Sequence, residues 1–176
     1  MVADAADNIY FTQYYFYGIR KVSSSGDVGT FAGGTTEGFA DGTGIAARFS
    51  QPGGLSKDLQ GNLYVVDGRN NRIRKITPGG VVSTKFQSEN HLDFMSIDAL
   101  GNLFIVEENL NKTAIIKVSP TGSITKICHT TFGSGPGVDG AGNTATFGTI
   151  TGMAVNAAGE VYVSELSGMI RKVKQN

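Results

Sequence analysis

The chain repeats one pattern four times, and that repetition constrains its fold more than any single residue does. A turn followed by a short apolar run reads "ADNIYFTQ" from Ala6, "QGNLYVVD" from Gln60, "LGNLFIVE" from Leu100 and "AGEVYVSE" from Ala158. Behind each comes a second run: "GIRKVSSSG" from Gly18, "RIRKITPGG" from Arg72, "IIKVSPTG" from Ile115 and "IRKVKQN" from Ile170. In front of each stands a short run with a polar end, "MVAD", "GLSKD", "MSID" and "MAVN". Behind the first three lies one more, "DVGTFAG", "VVSTKF" and "SITKIC". The runs are rich in Val, Ile, Tyr and Thr, with glycine or asparagine turns between them, so each repeat reads as four short strands. No stretch sustains apolar spacing at helical period. The 25 glycines against four prolines suit many tight turns.

Four strands repeated at this length predict an all-β chain of four-stranded antiparallel blades, a β-propeller of about four repeats. The approximate repeats are 1–52, 53–93, 94–150 and 151–176, the first and last incomplete, within one unit spanning 1–176. "GNLYVVDGRNNRIRKITPGG", from Gly61, closely resembles the NHL repeat, and the "ADGTGIAARFSQPGGL" leading into it resembles the linker of bacterial NHL proteins. The likeness covers essentially the whole chain. It is strongest in the second repeat and weakest in the first and third, which lack the Asn-Arg pair of the second loop. It implies a propeller, usually of six blades in that family, and no particular activity.

Equivalent isoleucines are separated by 54, 42 and 55 residues (Ile19, Ile73, Ile115, Ile170). Both long steps carry the same insertion, "ADGTGIAARF" from Ala40 and "VDGAGNTATF" from Val138, with Asp41 and Asp139 98 residues apart. The repeating unit is then a pair of blades. The first blade begins partway into its innermost strand and the fourth ends after its third. A four-bladed ring, a piece of a larger ring, and an arc that closes by association all remain open, and the arc is favoured because an open edge invites pairing. Two copies end to end would make a homodimeric eight-bladed ring.

Bulk properties narrow the partners. Fifteen basic residues balance fifteen acidic ones, so the global basic field of a dedicated nucleic-acid binder is missing. The single cysteine, Cys128, excludes an intrachain disulfide framework. No apolar run approaches the ~18 residues of a membrane span. Met1 is followed by "VADAADN", which is no secretory signal, so a soluble chain of unassigned compartment is expected.

The loops between the second and third strands share one end of a propeller with the connections between blades, and rigidly mounted loops are where binding residues usually sit. That end collects "QYYFYG" from Gln13, "DGRNNR" from Asp67 and "EENLNKT" from Glu107. Tyr14, Tyr15, Phe16 and Tyr17 are four consecutive aromatics in a loop, suited to stacking on sugars, bases or a protein partner. Equally, two would continue the strands while two pack on the next blade. Arg69, Asn70 and Asn109 complete the binding candidates.

Gln13, Asp67, Glu107 and Glu165 form a polar column at the end of the second strand. Three carboxylates, Asp67, Glu107 and Glu165, admit calcium or another divalent ion. Pairing with loop amides or an arginine, Arg72 being the obvious donor, is the stronger reading, because a feature repeated in every blade is usually architectural. Asp41 and Asp139 lack the alternating acids of a calcium loop and read as turns anchored by Phe49 and Phe147. "GSGPG" from Gly133 has no lysine-serine or lysine-threonine pair for a phosphate. Cys128 and His129, as strand neighbours, point to opposite faces and make no catalytic pair. His91 stands elsewhere on a loop. Asn111-Lys112-Thr113 is a glycosylation sequon, relevant only in a eukaryotic secretory pathway. The basic residues of the third strands (Arg20, Lys21, Arg74, Lys75, Lys117, Arg171, Lys172) alternate and are expected to spread around the rim.

The reading is therefore a non-catalytic, cofactor-free binding scaffold that recognises a protein or glycan, with no catalytic residue assigned. A metal-dependent lactonase- or lyase-like enzyme is the alternative, using Asp67, Glu107 and Glu165. RNA binding ranks third.

Overall fold

A computed structural model describes residues 1–109, 112–131, 137–140 and 145–173. Its strands fall where the repeat places them. The chain divides into two compact units, Met1–Leu92 and Asp93–Asn176.

The first unit holds two antiparallel sheets. One is ordered β1 (Val2–Ala3), β2 (Ile9–Gln13), β3 (Gly18–Val22), β4 (Val28–Gly33). The other runs β5-β9-β8-β7-β6, with β5 at Gly42–Thr43, β6 at Pro52–Lys57, β7 at Leu63–Asp67, β8 at Arg72–Ile76 and β9 at Val81–Gln87. The fifth strand was not expected: the insertion after β4 lays Gly42 opposite Val82 and Thr43 opposite Val81. In the second unit β10 (His91–Ile97), which begins at the boundary, precedes β11 (Leu103–Asn109), β12 (Lys112–Val118) and β13 (Ile124–Thr131) in a four-stranded sheet. A three-stranded sheet follows: β14 (Ile150–Val155), β15 (Val161–Glu165), β16 (Ile170–Val173). Helical backbone among the described residues is confined to three 3₁₀ turns, Tyr14–Phe16, Gly44–Ala46 and Gly68–Asn70.

The polar end of each first strand is now explained. Asp58 Oδ1 accepts the N–H groups of Gln60 and Asn62, and its Oδ2 accepts the Asn62 amide and the Tyr64 hydroxyl. Asp4 does the same for Ala6, Asn8 and Tyr10. Asp98 holds Leu100 and Asn102, and Asn156 holds Ala158 and Glu160. An Asx side chain thus closes every hairpin between the first and second strands. These side chains, three aspartates and Asn156, are joints, and chemistry has to be sought elsewhere.

Each unit has its own core. Ile19, Ala32, Phe49, Val65, Ile76 and Val82 meet in the first. Phe104, Val106, Ile115, Cys128, Phe147 and Val163 meet in the second. Phe49 and Phe147 do anchor the two insertions, and both are buried. The fourth strands carry an extra residue at one level, where register shifts after Ile19, Ile73 and Ile115. Such bulges sharpen the local twist and re-aim side chains.

Candidate functional site

Two polar constellations are copies of each other, their acids 98 and their arginines 97 residues apart. In the first, Arg74 is fully buried. Its Nη1 donates to Asp67 Oδ2 at 2.9 Å and to the Arg48 carbonyl at 3.0 Å. Its Nη2 donates to Asp41 Oδ1 at 2.6 Å and to the Ala40 carbonyl at 2.8 Å. The rings of Phe39 and Phe49 lie 4.8 and 5.1 Å from the guanidinium carbon. In the second, Arg171 reaches Glu165 at 3.1 Å, Asp139 at 2.8 Å, and the carbonyls of Thr146 and Val138, beside Phe147. Guanidinium geometry suits this work, since a planar fork can satisfy two carboxylates and two carbonyls at once.

These contacts correct two expectations. Asp67 is paired by Arg74 and not by Arg72, whose Nη groups go to the Asn70 carbonyl and to Gln87. Two apart on β8, the arginines share a face, and both lie against the Phe39 ring. Arg72 stands at the strand's first residue and is spent on its own loop, which leaves Asp67 to the buried Arg74. Arg74 and Arg171 are also absent from any rim, being buried. The remaining basic side chains pack singly: Lys75 over Tyr64, Lys117 over Phe104, Lys172 on Glu160. Sequence reading missed Asp41 and Asp139 as ion-pair partners because they lie 33 and 32 residues from their arginines. A signal did exist. Arginine occupies this position in both blades preceded by an insertion, and also in the first as Arg20, while the third, with no insertion before it, has Ile116.

The acidic column is therefore largely committed. Asp67 is buried, and it accepts the Ser50 N–H at 2.7 Å and the Asn70 amide at 2.9 Å besides Arg74. Burial pushes its carboxyl above the ordinary value, opposed by those hydrogen bonds and by Arg74. Glu165 is buried and also accepts the Gly137 N–H and the Ser167 hydroxyl. Glu107 is half-buried, opposite Ala114, and Gln13 is exposed. Among the described residues no group of three or more His, Cys, Asp or Glu is placed to hold a metal ion.

The loop after β2 is different in kind. Tyr14–Phe16 forms a 3₁₀ turn closed by Tyr17 in the left-handed region, φ 55° and ψ 38°. None of the four aromatics continues a strand, contrary to one of the two expectations. The loop after β7 has the same backbone, with Asn71 at φ 52° in place of Tyr17. Asparagine tolerates that conformation; tyrosine is uncommon there. The next residue has to be small, since a Cβ on Gly18 would stand 2.7 Å from the Ala32 carbonyl oxygen. Tyr14 is 45 % and Tyr15 85 % exposed, their rings edge to face at 5.0 Å. Phe16 turns inward under the Arg20 guanidinium, 4.9 Å away. Beside it lies a cleft of about 300 Å³ lined by Phe16, Thr30, Gly34, Thr35, Ile45 and Arg48.

The other binding candidates divide. Arg69 is exposed and pairs at 3.4 Å with Glu37. Asn70 braces the insertion through the Gly38 carbonyl and Asp67. Asn109 is exposed, opposite Lys112 at the end of the β11–β12 ladder. Cys128 is buried, and burial pushes its thiol up to about 11, which disfavours the thiolate a nucleophile needs. Residues 133–136 of the glycine loop, Asn111 of the sequon and residues 141–144 of the second insertion lie outside the described residues.

No family model matches the chain, and no curated protein does. Solved structures do. Virginiamycin B lyase from Staphylococcus aureus aligns over 98 % of this chain and 54 % of its own, at 17 % identity and a TM-score of 0.59. Regucalcin from Agrobacterium tumefaciens, described as a calcium-binding protein, aligns over 90 % of this chain and 52 % of its own, at 16 % identity and a TM-score of 0.55. A Bacteroides caccae protein of unknown function aligns over 96 % and 58 %, at 12 % identity and a TM-score of 0.53. The chain thus spans about half the length of these structures. They are β-propeller proteins, and at such identities the likeness concerns the fold alone. The chain is built of β-propeller blades.

Proposed function

We propose that the chain is an NHL-type binding scaffold, non-catalytic, that recognises a protein or glycan through the loop end bearing Tyr14–Tyr17. The observation that carries this reading is the pair of exposed tyrosines on a turn whose backbone is set by Tyr17 and Gly18. Rings held this way lose little freedom on binding, and each stacking contact contributes ~0.5–1.5 kcal/mol. The test is retention of the chain on panels of immobilised glycans and peptides, compared with a Tyr14→Ala/Tyr15→Ala variant of unchanged Tm. Roughly tenfold weaker retention of the variant is expected from two such contacts. Equal retention of both proteins would overturn the reading.

The lactonase- or lyase-like alternative has support in fold from the lyase and regucalcin structures. It would require Asp67 and Glu165 to exchange their arginines for a metal. A rise in Tm with calcium or zinc, removed by Glu107→Ala, would favour it.

A further inference from the structure

Arginine occupies one position of the third strand in three blades: Arg20, Arg74 and Arg171. Two of them are saturated by carboxylates. Arg20 is not. No carboxylate among the described residues pairs with it, and its Nε is buried without an acceptor. Arg74 shares the orphan Nε but places four hydrogen bonds through its two Nη groups. Arg20 has only the Phe16 ring. The difference follows from sequence. The first blade carries Gln13 where the others carry Asp67 and Glu165, and Gln13 is exposed.

The surroundings of Arg20 otherwise reproduce those of Arg74. Arg20 lies opposite Thr30 in the β3–β4 ladder, as Arg74 lies opposite Thr84. Directly opposed residues share one face of a sheet. In the second blade Asp41 bridges that pair, taking Arg74 at 2.6 Å, the Thr84 hydroxyl at 3.3 Å and the Thr84 N–H at 3.4 Å. In the first blade Thr30 and Phe16 line the cleft of about 300 Å³, and Arg48, exposed on its wall, also pairs with no carboxylate among the described residues. Arg20 is not itself a lining residue of that cleft, but it stands opposite Thr30, which is. A half-buried guanidinium with no carboxylate, beside a threonine, repeats the chemistry that Asp41 completes at Arg74 and Thr84.

We propose that Arg20 and Thr30 receive an aspartate carboxylate from an acidic polypeptide turn of the Asp-Gly type that is not part of residues 1–176. Phe16 covers the guanidinium as Phe39 and Phe49 cover Arg74. The proposal rests on the binding reading above and names its ligand class. Its occupant is a peptide because the two filled copies of the site both hold an Asp-Gly turn, Asp41-Gly42 and Asp139-Gly140.

The probe is a capped peptide of the Ala40–Phe49 sequence added to the whole chain, read by the arginine Nε–Hε resonances in a nitrogen-15 spectrum. Saturable perturbation of the Arg20 signal is expected. It should weaken at least tenfold when the peptide carries Asn for its aspartate, or when the chain carries Arg20→Gln, and should partly return with Arg20→Lys. Because the peptide variant leaves the protein untouched, a folding defect in Arg20→Gln cannot mimic the result. Absence of perturbation at millimolar peptide, or equal binding of the Asn peptide, overturns the proposal. So does glucuronate binding Arg20 as tightly as the peptide, which would make the site one for sugar acids. Peptide binding that depends on Tyr15 and not on Arg20 would sink this inference while leaving the binding scaffold intact.

Discussion

A buried charge is tolerable only in company, and Arg74 shows how much company one guanidinium can hold. Removing it leaves Asp67 buried and unpaired, so Arg74→Ala is expected to cost about 3–5 kcal/mol. Asp41 is half-exposed, and Asp41→Asn should cost under about 1 kcal/mol after solvent screening. Urea unfolding of both variants checks the contrast; similar losses would mean that the two carboxylates are equivalent. A second expectation concerns acid. The Asn8 amide, followed by the N–H groups of Asn8 and Ala6 and the Tyr10 hydroxyl, holds the Asp4 carboxyl down at about 2, against a lesser opposing effect of burial. A depressed carboxylate stabilises the fold above its unfolded value, near 3.8, and that contribution is lost as pH falls through about 2. The difference in stability between wild type and Asp4→Asn should therefore be constant above pH 4 and shrink from there towards pH 2. A difference unchanged across that window would contradict the turn's role.

At the scale of elements, the insertions behave as parts of the blades. Each is fastened at one end by a buried phenylalanine and at the other by the arginine of the third strand. Phe49→Ala is expected to cost about 3–5 kcal/mol, as for a large core ring, and Phe147→Ala a similar amount, measured by thermal or urea unfolding. Losses under about 1 kcal/mol would make the insertions mere surface loops. The strands themselves were legible in the sequence because their alternation and their glycine and asparagine turns are local signals. The Asp41–Arg74 pair was less so, since nothing near either residue points to the other. The 3₁₀ turn at Tyr14 was hidden for a different reason. Tyr-Tyr-Phe-Tyr reads as a loop from its place between two strands, yet β-formers leave open that two of them extend those strands. Gly18 lying against the Ala32 carbonyl and Tyr17 in the left-handed conformation decide against that. Close packing overrides propensity there.

At the scale of the molecule, the three-stranded sheet ends in β16 with Ile170 77 % exposed. A cleft of about 520 Å³ runs from Cys128 and Asp139 to Val173. In the second sheet β9 occupies the equivalent slot, between β8 and β5. An edge of this kind favours association, and we expect a dimer, at twice the 18.5 kDa of the chain, in light scattering behind gel filtration. A stable monomer would show that the edge is tolerated. The fastening of the insertions carries one more consequence. The buried Ser50 N–H is bonded to Asp67, the carboxylate that Arg74 also holds, and its hydrogen exchanges with solvent only when that bond opens. That single amide is a clock: its exchange rate in deuterated water times the opening of the joint between the insertion and Asp67.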